Sequence, residues 1–258
     1  MRIKSTFLVL IFLSVISCRA QRDTALVKKN ELNKEKELES NQIEIKEGSG
    51  VFLVEGKGDA NSRIKVFYHR PKDFSPTSRF LIVIPGAGRN GDSYRNAWIE
   101  ESEKYNFLVL SPMYPESEYE FEDYHLGGLI TDSNLKSSTE NIENTNTVKL
   151  DETRFKFKVN PDSNEWIFKD FDRIFDLAVA ALNSKQTSYD MFGHSAGGHI
   201  LHRLALFQKN SKANKILAAN ASFYTLPDFE IPFPFGCNNA PITQKSLKRA
   251  FKKELVFF

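Results

Sequence analysis

The pattern of apolar and polar positions predicts strands alternating with helices from residue 50 onward. Residues 51–54 and 63–68 are short apolar or alternating runs around a turn-forming stretch, which predicts an antiparallel pair of strands. Residues 79–84 form a continuous apolar run that Pro85 and Gly86 end, as is typical of a strand buried on both faces. The chain therefore begins its fold with a hairpin followed by a central strand.

The same pattern predicts two further units of strand and helix. Apolar residues at 167, 168, 171, 174, 175 and 178 have helical spacing. The predicted elements are a helix over 94–104 capped by Asp92 or Ser93, a strand at 107–110, a helix at 166–182, a strand at 188–192, a helix at 196–207, a strand at 216–219, a basic helix at 246–253 and a strand at 254–258. This alternation predicts an α/β fold, with a mostly parallel sheet and helices on both faces.

One stretch interrupts the alternation. Residues 123–161 are rich in Asn, Ser, Thr and Glu and show no clear element over most of their length. A long segment of this kind within a domain is typical of a functional loop. We predict a surface excursion at 123–161 that serves as a lid or as a substrate-binding loop.

The N-terminus has the features of an export signal. Arg2 and Lys4 precede an apolar run over 7–16, which as a helix would rise about 15 Å, roughly half the thickness of a bilayer core. Cys18 follows directly, in the position of the lipidated cysteine of a bacterial lipoprotein. We expect residues 1–17 to be removed and the chain to be lipid-anchored to the bacterial cell envelope, on its periplasmic or surface face. The alternative is an ordinary signal peptide with an incidental cysteine.

Residues 18–48 separate this signal from the domain. They are rich in Lys, Glu, Asn and Gln, and such a composition buries too little apolar surface to offset its ordering entropy. We interpret them as a tether, with a short solvated helix over 24–38 as the alternative. The predicted domain covers residues 49–258.

Charge and cysteine content exclude several classes of function. The chain has 35 basic and 33 acidic residues, and removal of Arg2 and Lys4 with the signal leaves 33 of each. A neutral chain does not hold a phosphate backbone electrostatically, so no nucleic-acid partner is expected. Two cysteines exclude a disulfide scaffold and multi-cysteine metal sites, and Cys237 has no partner once Cys18 is lipidated. The motifs indicate neither a metal nor a cofactor.

The sharpest chemical signal is the G-x-S-x-G motif at residues 193–197, between a predicted strand and a predicted helix. In that context the serine sits on a strained turn and projects its hydroxyl above the sheet. The start of the helix also directs free N–H groups and a positive dipole end toward the reacting centre. Ser195 is therefore the predicted nucleophile, and the alternative is an ordinary helix N-cap.

A second part of such a site is a hydrogen-bond donor from the loop after the central strand. Residues 85–92 are glycine-rich, which permits close approach of their backbone to a substrate oxygen. We predict that the N–H of Ala87, or of a direct neighbour, and the N–H of Ala196 form an oxyanion hole. The alternative is a plain turn between strand and helix.

Together these motifs resemble those of the α/β-hydrolase superfamily. The elbow at 192–198, the loop at 84–91 and the late segment at 220–227 are most similar to those of secreted esterases related to polyhydroxybutyrate depolymerases. The resemblance covers residue 50 to the end. It implies a triad of serine, acid and histidine that hydrolyses a small-molecule or polymeric ester through an acyl-enzyme.

The triad cannot be completed from the sequence. In the superfamily the acid and then the histidine follow the nucleophile along the chain. The five histidines are His69, His125, His194, His199 and His202. None lies beyond the elbow helix, and only His125 would approach the serine, if the excursion folded over it. We therefore predict no general base, while Asp228 is an alternative position for the acid.

The predicted strand at 254–258 agrees with the absence of a triad histidine after the elbow helix. In the resembled fold it would deliver the acid, and further elements that carry the histidine would follow. We expect a C-terminally shortened hydrolase whose last strands and helix are missing and whose esterase activity is impaired. The alternative is a non-catalytic, lipid-anchored remnant or binding protein.

Overall fold

The structure, a computed structural model, describes residues 43–57, 59–145 and 148–257. Its strands are β1 (Gly48–Gly56), β2 (Asp59–Arg70), β3 (Arg79–Ile84), β4 (Phe107–Met113), β5 (Ile130–Thr131), β6 (Thr139–Asn141), β7 (Val148–Leu150), β8 (Lys158–Val159), β9 (Tyr189–His194), β10 (Ala213–Ala219) and β11 (Glu254–Phe257). Its α-helices are α1 (Gly91–Asn96), α2 (Ile99–Tyr105), α3 (Phe121–His125), α4 (Phe168–Leu182), α5 (Ala196–Phe207) and α6 (Gln244–Ala250). The predicted signal peptide, Cys18 and most of the tether lie outside the described residues.

A seven-stranded sheet forms the centre, in the order β1-β2-β4-β3-β9-β10-β11. The pairs β1–β2 and β2–β4 are antiparallel, and β4, β3, β9, β10 and β11 run parallel to one another. The predicted hairpin and mostly parallel sheet are confirmed. Because the parallel strands share one direction, the loops that follow β3, β9 and β10 meet at one edge of the sheet.

Helices α4 and α5 cover one face of this sheet. The apolar side of α4 is buried, and the ring of Phe175 meets Phe80 of β3 edge-on at 5.1 Å and Tyr189 of β9 at 5.1 Å. Every residue of α5 is buried, including His199 and His202. The polar groups of α5 therefore need internal partners, which bear on the site described below.

Helices α1 and α2 lie on the other face and replace the single helix predicted over 94–104. The helix is interrupted at Ala97 and Trp98. The indole of Trp98 packs against Phe192 at 5.4 Å and Phe107 at 6.4 Å between ring centres. Docking of the large indole onto the sheet accounts for the break. Asn90, rather than Asp92 or Ser93, holds the N-cap position.

This second face is only partly covered. Leu81, Phe192 and Leu217 from three neighbouring parallel strands are half-buried, and with Trp98 they line a shallow groove of about 200 Å³. None of the helices in the described ranges is both long and apolar enough to cross a bilayer.

The predicted excursion at 123–161 begins inside the core. Tyr124, Leu126 and Leu129 are buried, whereas the stretch that follows is mostly exposed. Two short antiparallel ribbons, β5–β8 and β6–β7, organise this stretch, which the sequence left without a clear element. Strands of two or three residues are too short to be recognised from the alternation of apolar and polar positions.

A buried carboxylate joins the first hairpin to α4. Asp170 is fully buried; it accepts hydrogen bonds from the N–H of Lys57 at 2.8 Å and the hydroxyl of Tyr114 at 3.2 Å, and pairs with the Arg173 guanidinium. Loss of hydration raises the pKa of the Asp170 carboxyl to about 6, although Arg173 and the hydrogen bonds oppose that rise.

The raised pKa of Asp170 predicts a pH-dependent contribution to stability. Because the folded state holds this proton more tightly than the unfolded state, the contribution of Asp170 falls as the pH rises toward 6 and levels off above it. The unfolding free energy of wild type minus that of Asp170→Asn should fall by about 1 kcal/mol between about pH 5 and 7. Urea unfolding of both proteins measures it, and a difference that does not change with pH would contradict the assignment.

Candidate active site

Ser195 occupies a strained turn between β9 and α5. Its backbone angles are φ 57° and ψ −115°, a combination that residues with a side chain rarely adopt. Its N–H donates to the carbonyl of Ala219 at 2.9 Å, which ties the turn to the end of β10. The serine side chain is half-buried and makes no capping bond to its own helix. This is the geometry of a nucleophile elbow rather than of an ordinary N-cap.

Two glycines of the motif allow the elbow to cross the end of β3. A Cβ on Gly197 would overlap the carbonyl oxygen of Ile84, and a Cβ on Gly193 would overlap the carbonyl oxygen of Gly197. No side chain fits at either position unless the backbone moves. The predicted role of these glycines in relieving crowding agrees with these contacts.

The glycine-rich loop passes directly beside the serine. A Cβ built on Gly86 would lie 3.5 Å from the Cβ of Ser195. Within the described chain the N–H of Ala87 has no acceptor, and Ala87 and Gly88 are exposed. The N–H of Ala196 lies in the first turn of α5, where a helix offers no internal acceptor. Two unpaired backbone donors thus belong to the two segments that meet at the serine, and an oxyanion hole is built from donors of this kind.

Arg89 fixes this loop, a role that the sequence did not reveal. It lies at φ 52°, and its buried guanidinium donates to the carbonyls of Tyr114 and Tyr119. The guanidinium also lies 4.5 Å from the ring centre of Tyr124, whose hydroxyl donates to the carbonyl of Pro85 at 2.8 Å. The loop is therefore held by contacts from residues far along the chain, which no local pattern indicates.

The two histidines of α5 anchor the loop after β10 instead of reaching the serine. Nε2 of His199 accepts from both the N–H and the hydroxyl of Ser222 at 2.9 Å. Nδ1 of His202 donates to the carbonyl of Gly198 at 2.9 Å, and its Nε2 accepts from the N–H of Thr225 at 3.0 Å. Each ring has its acceptor nitrogen committed to the backbone, so neither serves as a base for Ser195.

His125 lies against His199. Their Nδ1 atoms are 3.4 Å apart, and Phe121 stacks on the His125 ring at 4.1 Å. His194 lies beside the hydroxyl of Tyr94, with its Nδ1 3.2 Å from that oxygen. Across the described ranges, no histidine makes a hydrogen bond to the Ser195 hydroxyl.

The remaining sequence candidates have hydrogen-bond partners other than the serine. Asp228 is exposed, and its carboxylate accepts from the N–H of Glu230 at 2.7 Å rather than from a histidine. His69 of β2 bridges Ser49 of β1 at 2.8 Å and Glu103 of α2 at 2.7 Å. That arrangement has the composition of a catalytic triad, so Ser49 becomes a necessary control in labelling experiments. In the described part of the chain, no group of three or more metal-binding side chains occurs.

Arg203 sets the charge environment of the histidines. It is fully buried and donates from Nη1 to the carbonyls of His125 at 3.2 Å and His199 at 3.1 Å. Burial lowers the pKa of Arg203 to about 9. Burial, followed by the nearby Arg203 charge, lowers the pKa of His199 to about 3, and burial, Arg89 and Arg203 together lower that of His125 to about 4. Both rings are therefore neutral at physiological pH, as the His199 ring must be to accept from the N–H of Ser222.

The crossing at β3 predicts a sharp contrast between two glycines of the site. Gly197→Ala should destabilise the fold by about 2 kcal/mol or more, because the new methyl group forces the elbow away from β3. Gly88→Ala is the matched control, since its Cβ would meet only Asn90 Oδ1, at 3.4 Å. That variant should stay within about 0.5 kcal/mol of wild type in urea unfolding. Equal losses in the two variants would contradict the crossing.

The His199 anchor predicts acid sensitivity. The unfolded state binds a proton near pH 6.5 and the folded state does not, so the His199 contribution falls as the pH drops below about 6.5. Relative to His199→Gln, which keeps an acceptor for Ser222 without titrating, wild type should lose about 2 kcal/mol between about pH 7 and 5. Unfolding free energies of both proteins at the two pH values test this, and parallel pH profiles would refute it.

Comparisons with known proteins identify the fold. No protein-family model and no curated protein sequence matches the chain. Among solved structures, poly(aspartic acid) hydrolase-1 from Sphingomonas sp. KT-1 is 31% identical with a TM-score of 0.68, over 83% of this chain and 71% of that one. LpqC, a poly(3-hydroxybutyrate) depolymerase from Bordetella parapertussis, is 23% identical with a TM-score of 0.66, over 82% of this chain and 65% of that one.

The chain thus spans less than two thirds of the length of the depolymerase. Its sheet order, its strained serine and its 31% identity to the first of these structures all indicate the same fold. The chain belongs to the α/β-hydrolase superfamily.

Proposed function

We propose that the protein is a serine hydrolase that cleaves carboxylic esters through an acyl-enzyme on Ser195. The observation that carries the proposal is the strained conformation of Ser195 between a strand and a helix, together with the unpaired N–H groups of Ala87 and Ala196 in the adjoining segments. These are the fixed parts of an acyl-transfer site: a projecting hydroxyl and preorganised donors for the oxyanion.

The chemistry at these residues proceeds in two steps. The Ser195 oxygen attacks the ester carbonyl carbon, and the carbonyl oxygen becomes an oxyanion that accepts from the N–H groups of Ala87 and Ala196. The intermediate collapses with release of the alcohol, which leaves an acyl group on Ser195. Water then attacks the acyl-enzyme at the same carbon and releases the acid. The serine proton passes through solvent water to the oxygen of the departing alcohol, because no described imidazole receives it. In the second step the attacking water returns a proton to the serine oxygen.

The missing base sets the rate that we expect. Positioned general bases contribute about 10²–10⁴-fold, and sites that have lost a triad member retain about 10³–10⁴-fold acceleration over water. We propose an impaired esterase whose residual rate comes from substrate binding and the oxyanion hole. Asp228 remains the proposed position of the acid, although it contacts no histidine.

The proposed substrates are small-molecule or polymeric esters. The two related structures are described as hydrolases of poly(aspartic acid) and of poly(3-hydroxybutyrate). The rim of the site includes the exposed Ala87, Gly88 and Ser222, an open edge that suits a chain-like substrate. We also propose that the protein is exported and attached through a lipid on Cys18, which follows from the N-terminal sequence. An enzyme held at the envelope would then act on esters outside the cytoplasm.

A non-catalytic binding protein is the second candidate. It is favoured by the Ser195 hydroxyl having no imidazole partner among the residues that the structure describes. In that case the same open edge would bind an ester or acid without turnover.

A fluorophosphonate probe tests whether Ser195 is reactive. Wild type should be labelled slowly, because the oxyanion donors stabilise the phosphonyl adduct but no base activates the hydroxyl. Ser195→Ala should abolish the labelling, and Ser49→Ala should leave it unchanged, as measured by gel fluorescence and by mass spectrometry of the labelled peptide.

Added imidazole provides a second measurement, since it can supply the absent base from solution. Hydrolysis of p-nitrophenyl acetate by wild type, after subtraction of the rate with Ser195→Ala, should rise with imidazole concentration. Labelling no greater than that of Ser195→Ala, without any imidazole effect, would leave the binding protein as the better account.

A further inference from the structure

The outer face of α6, together with the turn after it, carries a stripe of basic side chains. Lys245, Lys248, Arg249 and Lys252 recur at helical intervals, are all exposed and line one surface depression. None of them forms an ion pair with a residue in the described ranges. We call these four residues the basic stripe. Three of these cations lie on α6 and Lys252 lies in the turn that follows it. Without a carboxylate partner the four repel one another and favour an anionic surface.

The stripe is held rigidly by the opposite side of the helix. Leu247 and Ala250 are buried, and a capping box between Thr243 and Ser246 defines the start of α6. Lys253 does not join the stripe, because its ammonium group donates to backbone carbonyls that include Ser211 at 2.8 Å. The helix backbone that carries Lys245, Lys248 and Arg249 is therefore held in place.

An exposed aromatic residue lies along the chain between two cations of the stripe, Arg249 and Lys252. Phe251 directly follows α6 and is 53% exposed, one of the few large apolar side chains in that state. Basic side chains combined with an exposed aromatic ring are typical of surfaces that enter the lipid–water interface. A soluble polyanion would need the charges alone, so Phe251 favours a membrane as the partner.

The stripe ends at the edge of the sheet opposite to Ser195. Lys253 contacts the carbonyl of Ala213, at the start of β10, whereas Ser195 bonds Ala219 at the other end of the same strand. A surface bound at the end of α6 therefore leaves the candidate active site open to solvent.

We propose that the basic stripe and Phe251 bind an anionic phospholipid surface. The partner is a membrane with negatively charged headgroups, with Phe251 inserted among them and the stripe above. The chain after residue 17 has 33 basic and 33 acidic residues, so the attraction is local to this face. A lipid anchor combined with a polybasic patch binds membranes more firmly than either alone. This inference goes beyond the proposed hydrolase function and does not depend on catalysis.

Vesicle co-sedimentation tests the proposal with residues 18–258 carrying Cys18→Ser, so that neither the apolar signal nor a lipid is attached. Vesicles of phosphatidylcholine with phosphatidylglycerol should bind the protein, and vesicles of phosphatidylcholine alone should not. Replacement of all four stripe cations by Gln should weaken binding roughly fivefold for each charge removed. Phe251→Ser should weaken binding further without a change in salt dependence.

A matched variant separates the stripe from net charge. Lys65, Lys72, Lys136 and Lys149 are exposed cations elsewhere, and their replacement by Gln removes the same charge. That control should bind vesicles nearly as wild type does, and Ser195→Ala should bind unchanged, so that a failed hydrolase proposal leaves this readout intact. Equal losses in the two fourfold variants would overturn the proposal. So would displacement by soluble polyaspartate combined with no effect of Phe251→Ser.

Discussion

The close crossing of the elbow over the end of β3 is the constraint on which the rest of the site depends. Gly197 meets the carbonyl of Ile84, and Gly193 meets the carbonyl of Gly197, without room for a side chain. This crossing forces Ser195 into its strained conformation, because the chain must reverse within one residue between strand and helix. It also brings the loop after β3 beside the serine. One packing contact thus positions both the hydroxyl and the two backbone donors.

Two buried arginines hold the backbone around this crossing. Arg89 holds the glycine-rich loop through backbone carbonyls, and Arg203 holds the carbonyls of His125 and His199 in the same way. Neither arginine has a carboxylate partner among the described ion pairs. Some guanidinium nitrogens, such as Nε and Nη2 of Arg203, have no hydrogen-bond partner within the described chain. Hydrogen bonds therefore compensate only part of the desolvation cost of Arg203, and its burial costs the folded state free energy. In return, Arg203 holds the carbonyls of His125 and His199 in place.

The elements could be predicted from the sequence where one pattern determines one element. The apolar run at β3, the helical spacing in α4 and the motif at the start of α5 each encode their element locally. The break at Trp98 could not be predicted, because it depends on Phe107 and Phe192 being brought together by the sheet. The same is true of Arg89 and of the histidine anchors, whose partners are backbone groups far along the chain. Such contacts leave no trace in spacing or composition.

The buried ionisable groups oppose one another as the pH changes. Between about pH 7 and 5 the neutral His199 costs the folded state about 2 kcal/mol, while Asp170 returns about 1 kcal/mol as it takes up its proton. His125 and His202 also have lowered pKa values, so the histidines outweigh the single carboxyl. Asp170 ties α4 to the first hairpin, whereas the histidines tie α5 to the loop after β10. Acid therefore weakens the surroundings of Ser195, whereas it strengthens the joint between the hairpin and α4. The pH limit of the site is set by the groups that support the serine, not by the serine itself.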